Sequence, residues 1–94
     1  MAQELSQGRI AISSQATSCQ VGGETVILDV GSGQYFALDP IGSAIWNHLQ
    51  LPCSLEVLCE RLLAEYDVSA DQCKSQVAAL VEELARHGLV RFTP

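Results

Sequence analysis

The stretch ETVILDVGSGQYFALDPIGSAIWNHL, residues 24–49, contains the change from strand to helix that decides the fold. Residues 24–30 (ETVILDV) are rich in β-branched side chains, which predicts a strand. A Gly-Ser-Gly turn follows, and residues 34–38 (QYFAL) form the next predicted strand. Asp39 and Pro40 then begin a helix, because Asp caps helix N-termini and Pro favours the first helical position.

The residues before this stretch predict one more strand and a lead-in. Residues 17–21 form a short predicted strand, and Gly22 and Gly23 after it suit a tight hairpin because both can take positive φ. Residues 1–15 are an expected extended lead-in. Short turns between successive strands favour antiparallel pairing. We therefore predict a three-stranded antiparallel sheet over residues 16–38, with its third strand at an edge.

Residues 39–94 form the predicted helical part, which contains three helices. The first begins at Asp39 and ends before Pro52, which cannot continue a helix. The second begins at Ser54, and the third at Ser69, where Ser and the Gln three residues later form a capping box. Apolar residues at helical spacing support the second helix: Leu55, Leu58, Cys59, Leu62, Leu63 and Tyr66.

The third predicted helix carries two apolar stripes side by side. The first stripe consists of Cys73, Val77, Leu80 and Leu84, and the second consists of Ala78, Val81 and Ala85. One stripe is enough to dock a helix on its own domain, so two stripes predict contacts on two sides. Residues 89–93 fit either a short strand or an extended tail. The sequence thus predicts one α+β domain over residues 1–94, a three-stranded antiparallel sheet followed by a three-helix bundle, with a winged helix-turn-helix-like helix order.

The composition excludes several classes of function. The 94 residues are 48% hydrophobic, which is normal for a packed domain. Eleven acidic residues against five basic ones give a net charge of -6, the wrong sign for binding nucleic acid or anionic membranes. The N-terminal segment MAQELSQGRI has no apolar signal-peptide core, and no apolar run approaches about 20 residues. We therefore expect a cytoplasmic protein without nucleic-acid or membrane partners.

The sequence offers no pattern for catalysis or for a metal. The four cysteines, at positions 19, 53, 59 and 73, form no C-x-x-C pair, so the usual zinc and thioredoxin-like spacings are missing. His48 and His87 are far apart in sequence and have no metal-type partner nearby. We therefore expect no catalytic residue, no metal and no cofactor, and we interpret the cysteines as small hydrophobic residues.

Several of these residues together form a familiar pattern. A hydrophobic run ending in Asp, then Gly, Tyr, Leu-Asp, Gly, Ile-Trp and Leu resembles the PqqD-like family of peptide-recognition domains from ribosomally made natural-product pathways. The resemblance covers residues 21–90 and is strongest to the stand-alone version in lasso-peptide biosynthesis. Leu51-Pro52-Cys53 departs from it where many relatives have a Gly-containing turn. The matching residues are Val26, Ile27, Leu28, Asp29, Gly33, Tyr35, Phe36, Leu38, Asp39, Gly42, Ile45, Trp46, Leu49, Gly88, Leu89 and Val90.

The resemblance implies a function and a site. Such domains have no catalytic residues and bind the leader segment of a precursor peptide, which adds as a strand beside the third strand and lies against the third helix. In lasso systems the implied protein partners are a cysteine-protease-like leader peptidase and a cyclase. The resulting candidate peptide-binding residues are Gln34, Tyr35, Phe36, Ala37, Leu38, Cys73, Val77, Leu80, Val81 and Leu84.

Two alternatives stay open at the level of sequence. A PqqD-like chaperone for a radical SAM peptide-modifying enzyme fits the same pattern. A winged-helix transcriptional regulator fits the helix order, but its recognition helix would carry Lys74 and Arg86 against Asp71, Glu82 and Glu83. The phosphate groups of DNA would repel a helix with more acidic than basic residues.

Overall fold

A computed structural model describes residues 8–93 of the chain. The strands are β1 (Arg9–Ile12), β2 (Ala16–Val21), β3 (Glu24–Asp29), β4 (Tyr35–Leu38), β5 (Cys53–Ser54) and β6 (Val90–Thr93). The helices are α1 (Pro40–His48), α2 (Leu55–Glu65) and α3 (Ala70–Arg86). The described chain is therefore a mixed α+β fold with antiparallel sheets, as the sequence predicts at this level.

Strands β2, β3 and β4 form the predicted meander, in that order and with antiparallel pairing. Gly22 and Gly23, with φ of 60° and 85°, form the two-residue hairpin between β2 and β3. Continuous pairing runs from Ala16 opposite Asp29 to Val21 opposite Glu24. Within residues 8–93, strand β4 pairs only with β3 and so lies at an edge of this sheet.

A second three-stranded sheet corrects the sequence-based prediction of a single sheet. Its order is β5-β1-β6, and both pairings are antiparallel. Strand β1 comes from the expected lead-in, whose residues 1–7 lie outside the described part of the chain. Two strands also interrupt the predicted helical part, and residues 89–93, which fitted either a strand or a tail, contain β6. The pairing of β1 with β6 joins the two ends of the described chain.

All three predicted helices are confirmed with their caps. The side chain of Asp39 accepts a hydrogen bond from the Gly42 amide at 2.7 Å, and that of Ser54 from Val57 at 3.2 Å. Ser69 accepts from the Gln72 amide at 3.1 Å. Each cap satisfies a backbone donor that the first helical turn leaves without a partner.

One core joins both sheets and all three helices. Ile10 and Val90 come from the second sheet, and Ile27 from the first. The fully buried Trp46 of α1 donates from Nε1 to the Ser18 hydroxyl oxygen at 2.9 Å. Ser43 of the same helix accepts from the Thr25 amide at 2.8 Å. These bonds fix α1 on the inner face of the β2-β3-β4 sheet. None of the helices that the structure describes is both long enough and apolar enough to cross a membrane.

Candidate functional site

The open edge of β4 is the first part of the candidate site. The Asp29 amide donates to the Gln34 carbonyl at 2.9 Å, so the backbone groups of Gln34 point toward β3. Backbone groups alternate along an antiparallel strand, so those of Phe36 also point toward β3. The amide and carbonyl groups of Tyr35 and Ala37 consequently point away from the sheet, toward the open edge. An extended peptide can pair with these groups.

The side chains of β4 alternate between two faces. Phe36 and Leu38 point toward the helices, with Leu38 buried and Phe36 half-buried. Tyr35 and Ala37 lie on the outer face, and Tyr35 is 71% exposed. A strand added beside β4 would follow the same alternation, so every second side chain of a peptide would face α3.

A cleft beside β4 forms the second part of the site. It has a volume of about 580 Å³ and opens between the end of β4, the start of α1 and one face of α3. Asp39 and Gln76 supply polar groups at the cleft surface. The residues that line the cleft are Ala37, Leu38, Asp39, Ile41, Gly42, Ile45, Gln76, Ala79 and Leu80.

The face of α3 beside the cleft continues toward the C-terminal end of the helix. Gln76, Leu80, Glu83 and His87 are spaced by three or four residues, so they share one helix face. At the far end, the rings of Phe36 and His87 contact each other with centroids 4.7 Å apart. This face extends for about 16 Å along the helix. That length matches about five residues of extended peptide.

The charges at the far end are arranged in pairs. Glu83 accepts from Arg86 at 2.6 Å, and its carboxylate lies 4.0 Å from the Nε2 atom of His87. The end of α3 is therefore polar, whereas the cleft beside α1 combines apolar side chains with the polar groups of Asp39 and Gln76.

The structure separates the predicted site residues into two groups. Gln34, Tyr35, Phe36, Ala37 and Leu38 form the β4 edge and the residue before it, and Leu80 is half-buried in the cleft. The other four lie in the hydrophobic core with at most 3% of their surface exposed: Cys73, Val77, Val81 and Leu84. Cys73 and Val77 also border a small cavity of about 20 Å³, which shares Ile41 and Gln76 with the cleft. Peptide contact at all ten positions stays a prediction.

Six residues that line the cleft were missing from the sequence-based prediction: Asp39, Ile41, Gly42, Ile45, Gln76 and Ala79. Gln76 and Ala79 are the two of them that belong to α3. Both are exposed, and neither belongs to an apolar stripe of α3. The double stripe has another explanation, because α3 packs against α2 and also contacts β6. The second stripe therefore does not require an external partner. The signal that could have located the wall is the helical spacing of Gln76 with Leu80.

The cysteines differ in environment. Cys19 is exposed, whereas Cys53 and Cys73 are buried and Cys59 is half-buried. Burial, followed by the nearby Cys73, raises the pKa of the Cys59 thiol to about 11, and burial also raises the pKa of Cys53. Among residues 8–93, no group of three or more His, Cys, Asp or Glu side chains could hold a metal ion.

We expect a thiol reagent at neutral pH to modify one cysteine, Cys19, in the folded protein. Thiolates are the reactive form, and the raised pKa of Cys59 keeps its thiol protonated. Titration with a chromogenic disulfide reagent should therefore give one fast equivalent, none in Cys19→Ser, and four after unfolding of the parent. A fast equivalent in folded Cys19→Ser would contradict the assigned environments.

The raised pKa of Cys59 also predicts a pH dependence of stability. Above pH 9 the thiol ionises in the unfolded chain before it does in the folded chain, so the free energy of unfolding should fall there.

Comparisons with known proteins agree with this geometry. Residues 24–90 match the sequence profile of the family described as coenzyme PQQ synthesis protein D (PqqD). The structure of TbiB1 in complex with the TbiA(beta) leader peptide is 30% identical, with a TM-score of 0.81, covering 86% of this chain and 94% of that one. A lasso peptide synthetase B1 complexed with the leader peptide is 26% identical, with a TM-score of 0.77, covering 87% and 96%. No curated protein matches the chain.

The resemblance inferred from the sequence is thereby confirmed. The profile match begins at the first residue of β3, includes β4 and all three helices, and ends at the start of β6. It thus contains the β4 edge and the whole cleft. The chain belongs to the PqqD family.

Proposed function

We propose that the chain binds the leader segment of a ribosomally made precursor peptide in the cytoplasm. It delivers the leader to a cysteine-protease-like leader peptidase and a cyclase in lasso-peptide biosynthesis. The chain is not an enzyme, since the recognition elements of its family bind leaders without catalysis. The observation that carries this proposal is the open edge of β4 beside a partly apolar cleft, in a fold whose two solved relatives hold leader peptides.

The leader adds to the sheet as a strand beside β4. The outward amide and carbonyl groups of Tyr35 and Ala37 pair with its backbone, which gives affinity with little demand on sequence. The Gln34 to Leu38 segment therefore supplies the first half of the binding site. Selectivity comes from the side chains of the added strand that face α3.

The cleft takes the main apolar side chains of the leader. Leu80 and Ile41, both half-buried, supply apolar surface above the buried Ile45, and exposed Ala79 leaves room beside them. Fully burying one large apolar side chain contributes about 1.5–3 kcal/mol. Ordering the peptide backbone costs about 1–2 kcal/mol per residue, so two or more anchors are needed. Four buried residues of α3 do not line the cleft but pack in the core and so hold the helix in position beside it: Cys73, Val77, Val81 and Leu84.

Two other functions compete with this one. A PqqD-like chaperone for a radical SAM peptide-modifying enzyme would use the same leader site, and the match to the PqqD family is compatible with it. A DNA-binding regulator is disfavoured, because α3 exposes Asp71, Glu82 and Glu83. A winged helix-turn-helix-like arrangement of the helices stays a prediction. Assays with each candidate partner, a leader peptidase or a radical enzyme, separate the first two functions.

Replacing Ala79 by aspartate tests the cleft. The new carboxylate would lose water against the apolar side chains of a bound leader, so we expect about tenfold weaker binding. The fold should survive, because Ala79 is exposed. The measurement is fluorescence anisotropy with a labelled leader peptide of a candidate precursor.

Ala64→Asp is the matched control. It makes the same chemical change at an exposed helical position of α2 that does not line the cleft. We expect this variant to bind the leader as the parent does. Equal leader affinity of folded Ala79→Asp and Ala64→Asp would place the leader elsewhere.

A further inference from the structure

The β2-β3-β4 sheet has a second open edge, on the side away from the cleft. The Val30 amide donates to the Gln15 carbonyl at 2.8 Å, so the backbone groups of Gln15 point toward β3. By alternation, the backbone groups of Thr17, Cys19 and Val21 also point toward β3. Those of Ser18 and Gln20 point outward, and among residues 8–93 no strand pairs with this edge.

The β2 edge lacks the features that usually prevent strands from pairing between molecules. Its sequence, ATSCQV, contains no charged residue and no proline, and its pairing with β3 runs through six consecutive residues without a bulge. Natural edge strands commonly carry Lys, Pro or a bulge to block further pairing. The β2 edge is thus open to another strand.

Hydrogen bonds on the inner face hold β2 in place although five of its six residues are exposed. Ser18 accepts from the Trp46 indole at 2.9 Å, and the Gln20 amide nitrogen donates to the Thr25 hydroxyl at 2.9 Å. Trp46 and Thr25 are fully buried, so these two bonds join β2 to rigid partners. A strand that is already ordered loses little conformational entropy on pairing.

A second copy of the chain fits this edge by symmetry and by charge. An antiparallel strand can pair with itself about a two-fold axis, which gives an interface made of the same surface on both copies. Each copy carries a net charge of -6, so an acidic contact surface would be repelled. Because β2 is uncharged and the two acids opposite it, Glu24 and Asp29, lie one strand inward on β3, no carboxylate faces another across the axis.

The outward groups fix the register of such a pair. Ser18 of one copy opposite Gln20 of the other puts both residues in hydrogen-bonded pairs and places Cys19 on the two-fold axis. An axis at Ser18 would instead pair Gln20 with Ala16, whose amide already donates to the Ser13 carbonyl at 3.1 Å, and an axis at Gln20 would pair Ser18 with Gly22 of the hairpin turn. The two Cys19 residues form a non-hydrogen-bonded pair, whose Cα atoms are about 4.5 Å apart in an antiparallel sheet. That separation is within the range of about 4.4–6.8 Å that a disulfide requires.

We propose that two copies of this protein pair antiparallel through β2, centred on Cys19, into one six-stranded sheet of order β4-β3-β2-β2-β3-β4. The interface is small, so dissociation constants of about 100 μM are expected. Both β4 edges lie at the outer ends of this sheet, and both clefts stay open. The dimer therefore offers two peptide sites, whatever peptide they take.

Sedimentation equilibrium over a concentration series tests the pairing with the peptide absent. Cys19→Ser should dimerise like the reduced parent, because it keeps a small neutral side chain on the axis. Cys19→Asp places two carboxylates opposite each other and should weaken the dimer at least about tenfold. Both variants should fold, since Cys19 is exposed. A monomeric Cys19→Ser at about millimolar concentration, or equal association of the two variants, would overturn the proposal.

Disulfide trapping gives the register. Oxidised glutathione should convert two Cys19 thiols into one intermolecular disulfide and release two molecules of reduced glutathione, and intact mass should report the covalent dimer. Gln20→Pro keeps Cys19 but removes an outward amide, so its trapping should be at least about tenfold slower. If Gln20→Pro is trapped as fast as the parent, random collision and not strand pairing brings the thiols together.

Discussion

Replacing Ala37 by proline is expected to weaken leader binding by about tenfold or more. The amide of Ala37 points toward the open edge of β4, where a peptide strand must find its partners. Proline has no amide hydrogen, so the substitution removes one hydrogen bond at the centre of the pairing. Its ring also projects toward the position of the added strand, which disturbs the neighbouring bonds.

The fold should tolerate this change. Pro is found at sheet edges when its missing amide faces away from the sheet, and Ala37 is exposed on the outer face. Circular dichroism and thermal unfolding check this before binding is measured. Ala37→Ser is the matched control, because a small side chain and the amide are both kept. We expect Ala37→Ser to bind the labelled leader as the parent does in fluorescence anisotropy.

The outcome separates strand addition from other modes of binding. A leader that binds only through side chains in the cleft would lose little affinity on Ala37→Pro. If folded Ala37→Pro binds as tightly as Ala37→Ser, the leader does not pair with β4. Combined with Ala79→Asp, the experiment therefore measures the backbone and side-chain parts of recognition separately.

Local features of the fold could be predicted because neighbouring residues determine them. Asp39, Ser54 and Ser69 cap their helices as expected, and each cap needs only the three residues after it. Gly22 and Gly23 form the expected hairpin for the same reason. The meander results from such hairpins, since short turns place consecutive strands side by side.

The second sheet could not be predicted in the same way. Its central strand β1 pairs with β6 from the opposite end of the chain, with Arg9 opposite Thr93. Both strands have four residues, too few for a clear alternating pattern, and no local turn connects them. Only the packing of the whole chain brings them together.

Part of the candidate site could likewise be predicted from the sequence, and part could not. The edge position of β4 can be inferred from strand order, but the wall of the cleft depends on the rotation of α3 about its axis. Apolar periodicity identifies the helix faces that are buried and does not show which of them the chain itself covers. Gln76 and Ala79 are exposed and give no hydrophobic signal, so only the packed structure reveals them as the wall.

Replacing Val81 by aspartate is expected to unfold most of the protein. Val81 is 0% exposed and lies in the core. An unpaired carboxylate there costs several kcal/mol, and protonation would only partly relieve the cost. The free energy of unfolding of a small domain is about 5–15 kcal/mol, so a cost of several kcal/mol removes much of it. Urea unfolding followed by circular dichroism should show either a strongly lowered midpoint or no folded baseline.

Ala79→Asp is the appropriate comparison for Val81→Asp, because it introduces the same charged group on the same helix, two residues away. We expect it to keep the urea midpoint of the parent within about 0.5 kcal/mol of unfolding free energy. Equal stability of the two variants would mean that Val81 is accessible to water and that α3 is rotated relative to the described fold. If the expected difference is found, loss of leader binding in Val81→Asp reports unfolding. Loss in Ala79→Asp then reports contact with the peptide, since that variant keeps its fold.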